Sequence, residues 1–209
     1  MGAGAQARAL WDGGCVGVLR GGQRGSNWGE GMIWESSDWK RPLLRMAGRI
    51  DAARYATSLN ERRLATAERD VILGCFTIRK LLHSGPKLTD QSRATKVSAM
   101  SFPNIKHVDS QNWHHLDELY DFKKGSQSTL PLEPFCNQFI HSFVLALDCR
   151  EDGGLSGFLV SSDQKRNANL FSIKAEDVAK VFQTIGSSYP SRIIGTREET
   201  TGDWKYSAD

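Results

Sequence analysis

The segment Cys136-Asn137-Gln138-Phe139-Ile140-His141 puts a thiol, a carboxamide and an imidazole within six positions, inside an otherwise apolar run from Leu132 to Val144. Such groups cost free energy to bury unless they find partners. On a helix, Asn137 and His141 are four apart and share a face. An imidazole carries a proton near neutral pH, and an amide beside it can orient a phosphate or a ribose. The structural alternative is that His141 ends the helix on a main-chain carbonyl while Asn137 caps locally.

The elements around this segment follow from periodicity. Residues 36–57 read as a first helix, capped by Ser37 or Asp38, with Leu43, Met46 or Ala47, Ile50 and Ala53 at helical spacing. Ser58-Leu59-Asn60-Glu61 is a capping-box pattern. It announces a long helix over 59–84 whose seam is Leu64, Val71, Cys75, Ile78 and Leu82, ended by Gly85-Pro86. A short joint between the two implies an antiparallel pair, the alternative being a single long helix across residue 58. Residues 87–110 are polar and irregular, with a short strand near 96–102, and a short helix is expected over 112–122. A polar loop around Gly125 follows, and Pro131 and Pro134 open the helix that carries Asn137. Residues 143–147, 155–160 and 169–173 then read as three short strands, the first two joined by Asp152-Gly153-Gly154. A final amphipathic helix spans 175–185, with Gly186 as its C-cap. The expected fold is α+β, mainly α: a helical bundle with a small three-stranded antiparallel β-meander and a C-terminal helix. It forms one domain, 36–186, followed by a polar tail, 187–209.

Residues 1–31 hold half of the chain's glycines and show no periodicity, so a disordered leader is expected there, either not native, with Met32 as the natural start, or a flexible natural tail. The chain has 209 residues, with 39% hydrophobic and 24% charged, as in ordinary globular proteins. A net charge of +3 is too small to argue for nucleic-acid binding by itself. Cys15, Cys75, Cys136 and Cys149 are dispersed with no CxxC pair, which suits a reducing, cytoplasmic setting. No apolar run approaches the roughly 20 residues of a membrane span, so no membrane partner is expected.

Arginines form the second constellation. Arg41, Arg45 and Arg49 recur every four residues, and Arg62 and Arg63 follow on the next helix. Such a stripe can contact phosphates, or it can be a solvated face with intrahelical pairing. In Trp113-His114-His115 the two histidines would point about 100° apart on a helix, a poor geometry for one metal ion. No metal site and no cofactor are therefore expected, and no phosphate-cradling glycine loop occurs in the folded part.

The Asn137-x-x-x-His141 piece resembles the second part of the Arg-Asn-x-x-x-His motif of the HEPN superfamily, small helical-bundle domains that include metal-independent ribonucleases of toxin–antitoxin and antiviral systems. The helix containing Phe76-Thr77-Ile78-Arg79-Lys80-Leu81-Leu82 is similar in character to the long helix that precedes that motif. The resemblance implies an RNA-binding or ribonuclease-related protein of a bacterial defence or toxin–antitoxin type. It implies Asn137 and His141 as site residues, RNA as a partner, and pairing of two protomers. Where the family has its arginine this chain has Cys136, which offers no fixed charge and no bidentate phosphate clamp. Either another arginine substitutes, Arg79 being the candidate, or the domain is catalytically degenerate. Arg41, Arg45, Arg49, Arg62, Arg63 and Arg79 are the candidate nucleic-acid contacts. The alternative function is a non-enzymatic protein–protein interaction domain in which Asn137 and His141 are structural. An enzyme using Asp or Glu near the hairpin has no motif behind it.

Overall fold

The computed structural model describes residues 33–209. The expected leader and the expected start at Met32 lie outside the described residues.

Helix α1 spans Ser37–Arg54 and buries Leu43, Ala47 and Ile50, the stripe its spacing predicts. Helix α2 spans Glu61–Leu82. Its cap is Asn60, whose side chain accepts the Arg63 N–H at 3.0 Å, so the chain turns into the helix two residues beyond Ser58. Its inner face is Ala67, Val71, Cys75, Ile78 and Leu81. Gly74 lets α2 approach a later helix closely: a Cβ there would lie inside the Phe182 ring. Arg93, in the one-turn helix α3 (Asp90–Arg93), holds the exit of α2 by donating to the carbonyls of Leu82, at 2.9 Å, and Gly85.

Strand β1 (Lys96–Pro103) leads into an excursion containing the short helix α4 (Leu116–Leu119). The longer helix expected over 112–122 does not form. Asp109 instead takes the N–H groups of Gln111 and Asn112 at 2.8 and 3.1 Å, which makes a turn of that stretch. Strand β2 (Ser126–Pro131) returns, and helix α5 (Leu132–Ile140) follows directly. Strands β3 (Ser142–Cys149), β4 (Leu155–Ser162) and β5 (Asn169–Lys174) run on to helix α6 (Ala175–Gly186). Gly153, at φ +90°, turns β3 into β4, and a Cβ there would strike the Thr57 carbonyl in the α1–α2 link.

These strands overturn the expectation of a mainly helical bundle with a three-stranded meander. They form one five-stranded antiparallel sheet in the order β2-β1-β5-β4-β3. Helix accounts for 41% and strand for 27% of the structure, so the sheet is the centre of the fold and not an appendage. The physical reason lies in β2. Only Leu130 in Ser-Gln-Ser-Thr-Leu-Pro is buried, so the segment reads as a polar loop, yet all six residues pair with β1. β1 in turn pairs with β5, a contact far away in sequence.

The sheet is covered on both faces. Val97, Ala99, Leu130, Phe158, Val160, Phe171 and Ile173 join the buried residues of α1, α2, α5 and α6 in the main core. Alternate residues Val144, Leu159 and Leu170 face the other way and pack with Phe102, Val108, Leu119 and Tyr120 of the excursion and its flanks.

Beyond α6 the tail is not featureless. Strands β6 (Ile193–Arg197) and β7 (Trp204–Ala208) pair as a separate hairpin, exposed along nearly its whole length. Asp90 anchors it by accepting the Ser207 hydroxyl at 2.8 Å and the Ala208 N–H at 3.1 Å. Lys40 staples α1 to the segment before it: the buried ammonium donates to the carbonyls of Lys87, at 2.6 Å, and Ser188, and lies 4.1 Å from the centre of the Tyr189 ring.

Candidate functional site

Helices α2 and α5 cross over a buried apolar contact. Phe135 and Phe139 of α5 are buried in edge-to-face contact, and Phe139 meets Phe158 of the sheet in the same way. Cys136 is fully buried against Cys75 of α2, and both are free thiols. Burial, then the hydrogen bond with Cys136, pushes the Cys75 thiol well above its ordinary value. The position at which the resemblance would put an arginine therefore points into the core.

Arg79, one turn beyond Cys75, reaches the rim of the same crossing. Its guanidinium Nη1 donates to Asn137 Oδ1 and lies 3.0 Å from Glu133 Oε1. Glu133 Oε1 is also 3.4 Å from His83 Nε2. Four polar side chains, Arg79 of α2, His83 at its C-cap, and Glu133 and Asn137 of α5, thus meet in one cluster at the surface. Both pairs are four apart in their helices, so each helix turns both members toward the other. The Arg79 side chain is 27% exposed, and its Nε is buried with no acceptor among the described residues. Arg79 fixes the carbonyl end of the Asn137 amide, and among the described residues nothing accepts from the amide nitrogen.

His141 is the C-cap of α5. Its N–H donates to the Asn137 carbonyl at 3.2 Å, and its ring is exposed to solvent. The main-chain carbonyl of His141 accepts the Asp163 N–H at 2.9 Å, which locks the end of α5 to the β4–β5 turn. Asn137 and His141 thus lie on the outer side of α5, one turn apart, with Arg79 beside the first.

The other basic residues do not gather here. Arg41 and Arg45 are exposed on α1, the former 3.9 Å from Asp38. Arg49 is spent on the buried Asp70, with Nε at 2.6 Å and Nη2 at 3.0 Å, and Arg69 adds a third contact at 3.4 Å. Arg62 and Arg63 sit in the first turn of α2. At about 1.5 Å per residue, they are roughly 25 Å from Arg79 along the helix. Arg79 is the one arginine of the expected six that touches Asn137.

Glu133 and His83 were not among the residues the sequence singles out. Their signal was the four-residue spacing, Glu133 to Asn137 and Arg79 to His83, but it becomes meaningful only when α2 and α5 are known to cross. Among the described residues no group of three or more His, Cys, Asp and Glu is arranged to hold a metal ion, and no helix is long and apolar enough to cross a membrane. No family model matches the chain, and no curated protein and no solved structure is significantly similar to it.

Proposed function

We propose that the chain acts on RNA in the cytoplasm through a metal-independent site on the outer side of α5, as a relative of the HEPN ribonucleases in chemistry though not in its sheet-centred architecture. The observation that carries this reading is the hydrogen bond from Arg79 to Asn137, with an exposed His141 one turn further on. It supplies the positive charge that Cys136 withholds. His141 takes the proton of a ribose 2′-hydroxyl as that oxygen attacks the adjacent phosphorus, and returns it to the 5′-oxygen as the phosphorus–oxygen bond breaks. The Asn137 amide nitrogen and the Arg79 guanidinium stabilise the charge on the phosphate oxygens. Glu133, 3.0 Å from Arg79, draws on the same charge and attenuates the site. In a bacterial defence or toxin–antitoxin setting, as a homodimer or with a protein partner, an attenuated ribonuclease of this kind has a natural role.

The test is incubation of purified protein with total RNA in EDTA, beside His141→Ala and Asn137→Ala variants. Cleavage by the wild type that both variants lose supports the reading. A wild type that neither cleaves nor binds RNA refutes it. One observation favours a second reading, a non-enzymatic interaction domain: Leu73 and Phe76 on α2 are each 45% exposed, beside a shallow hollow of about 340 Å³ lined by Ala65, Glu68, Arg69, Ile72 and Leu73.

A further inference from the structure

The turn between β4 and β5, Asp163-Gln164-Lys165-Arg166-Asn167-Ala168, is fixed from several sides. Asp163 donates its N–H to the His141 carbonyl at 2.9 Å. The N–H groups of Lys165 and Arg166 both reach the Ser162 carbonyl at 2.9 Å. Asn167 Oδ1 accepts the Val108 N–H at 2.8 Å, and the Tyr120 hydroxyl donates to the Arg166 carbonyl at 2.7 Å. A turn so held has little freedom to carry its side chains about.

Out of it comes Arg166. Its guanidinium carbon lies 3.9 Å from the centre of the Phe143 ring, and Phe143 is two residues beyond His141. Nη1 is 3.3 Å from Asp163 Oδ1, which fixes the rotation of the plane. A guanidinium laid on a ring has one face covered and the other open, and this side chain remains 25% exposed. The open face of a fixed guanidinium is a stacking surface for a nucleobase. Lys165, exposed beside it, adds a second positive charge. The carboxylates nearby are Asp163, already paired with Arg166, and Asp109, which also feels His107.

We infer that Arg166, supported by Phe143, is a nucleotide-binding residue of the His141 site: it stacks on a base of single-stranded RNA next to the phosphate handled at His141, while Lys165 contacts the following phosphate. This rests on the RNA reading above. It adds that the site extends from the helix crossing across the end of α5 onto the sheet side of the molecule, and that the substrate is single-stranded.

The experiment uses full-length His141→Ala protein, which cannot consume the probe, and a short fluorescein-labelled single-stranded oligoadenylate followed by anisotropy. Arg166→Lys keeps the charge and the reach to Asp163 but removes the plane. It is expected to weaken binding about tenfold, at the lower end of what one base–platform stack contributes. The same oligonucleotide lacking one base should bind parent and variant alike once the abasic position meets the turn. Lys165→Ala should lower the dependence of log affinity on log salt by about 0.7, one phosphate on a single strand. Phe143→Leu, which removes the support but no charge, should reproduce the Arg166→Lys loss; because Phe143 packs against Val144 and its neighbours, equal binding of the abasic oligonucleotide by parent and both variants is the control for a folding defect. If the parent binds and neither Arg166→Lys nor Phe143→Leu changes the affinity, this inference fails and the RNA reading stands. If the parent protein binds no RNA and the wild type cleaves none, both fail.

Discussion

Replacing Arg79 by methionine separates the role of this residue in the site from its role in the fold. The methionine keeps most of the packing volume of the aliphatic stem. It removes the bond to Asn137 and the 3.0 Å pair with Glu133. Hydrogen bonds involving a charged group contribute about 1.5–3 kcal/mol each when buried, and less here because the side chain is 27% exposed. Against that loss stands the Nε donor, which is buried with no acceptor among the described residues and costs about 1–3 kcal/mol while the arginine is present. The two largely cancel, so the net destabilisation is about 1 kcal/mol, a fall of roughly 2–4 °C in Tm for a chain of this size. Loss of a donor aimed at developing charge lowers kcat by about 10²–10³-fold. Thermal denaturation and RNA cleavage in EDTA are to be measured on the same preparation. Cleavage within a few-fold of wild type would refute the role given to Arg79. A Tm lower by 10 °C or more would make it a structural residue and leave the activity result uninformative.

Three further outcomes follow from the packing. Cys136→Arg, the change that would restore the family motif on paper, forces a guanidinium into the fully buried contact with Cys75 and should cost about 4 kcal/mol or more, read as loss of soluble folded protein; a folded variant with wild-type Tm would show that the position is not core. Gly74→Ala gains about 1 kcal/mol of helix propensity but drives a methyl into the Phe182 ring, an overpacking of about 1–3 kcal/mol, so the urea midpoint should fall, and it should recover in part when Phe182→Leu is added; a stabilised single variant would contradict the close approach of α2 and α6. Burial, and then the charge of Lys87, push Lys40 down from 10.5 to about 8. Below pH 8 the ammonium is present in both states and its burial costs stability; between about pH 8 and 10.5 the unfolded chain holds the extra proton, so stability rises with pH through that window. Wild type should therefore gain on Lys40→Met between pH 7 and 9.5 in urea unfolding, and a flat or falling difference would show that the two carbonyls and the Tyr189 ring hold the charged form.

Much of this molecule is written in local pattern. The stripe Leu43, Ala47 and Ile50 and the seam through Val71, Cys75 and Ile78 are each amphipathic against one core, so period alone reveals them; β3 to β5 are covered on both faces and show instead as short apolar runs bounded by turn residues. β2 escapes because its neighbours are exposed and its only buried side chain is Leu130. β6 and β7 escape because both faces are exposed, so Ile193, Ile194, Trp204 and Tyr206 show strand-forming residues without a buried side to mark them. The same division holds at the site. Asn137 and His141 share a face by spacing alone, whereas the nearness of Arg79 to Asn137, of Glu133 to Arg79 and of the β4–β5 turn to His141 exists only once helices cross and strands pair. That Cys136 is buried is legible from the apolar run it sits in; that Cys75 is what it packs against is a property of the crossing.

The strand order has a consequence for how the chain reaches this state. β3, β4 and β5 are neighbours in sequence and in the sheet, and α5 and α6 flank them directly, so this stretch can assemble through short-range contacts. β1 must then find β5 across the whole excursion, β2, α5 and two strands, and it brings β2 with it as an already formed ribbon. Closing so long a loop is entropically costly and is rewarded only when the β1–β5 ladder forms. Folding is thus expected to wait on that one seam, and the edge of β5 stands open until β1 arrives. During synthesis β1 emerges well before its partner exists, so a nascent chain carries an unpaired β1–β2 ribbon that must be kept from pairing with other chains.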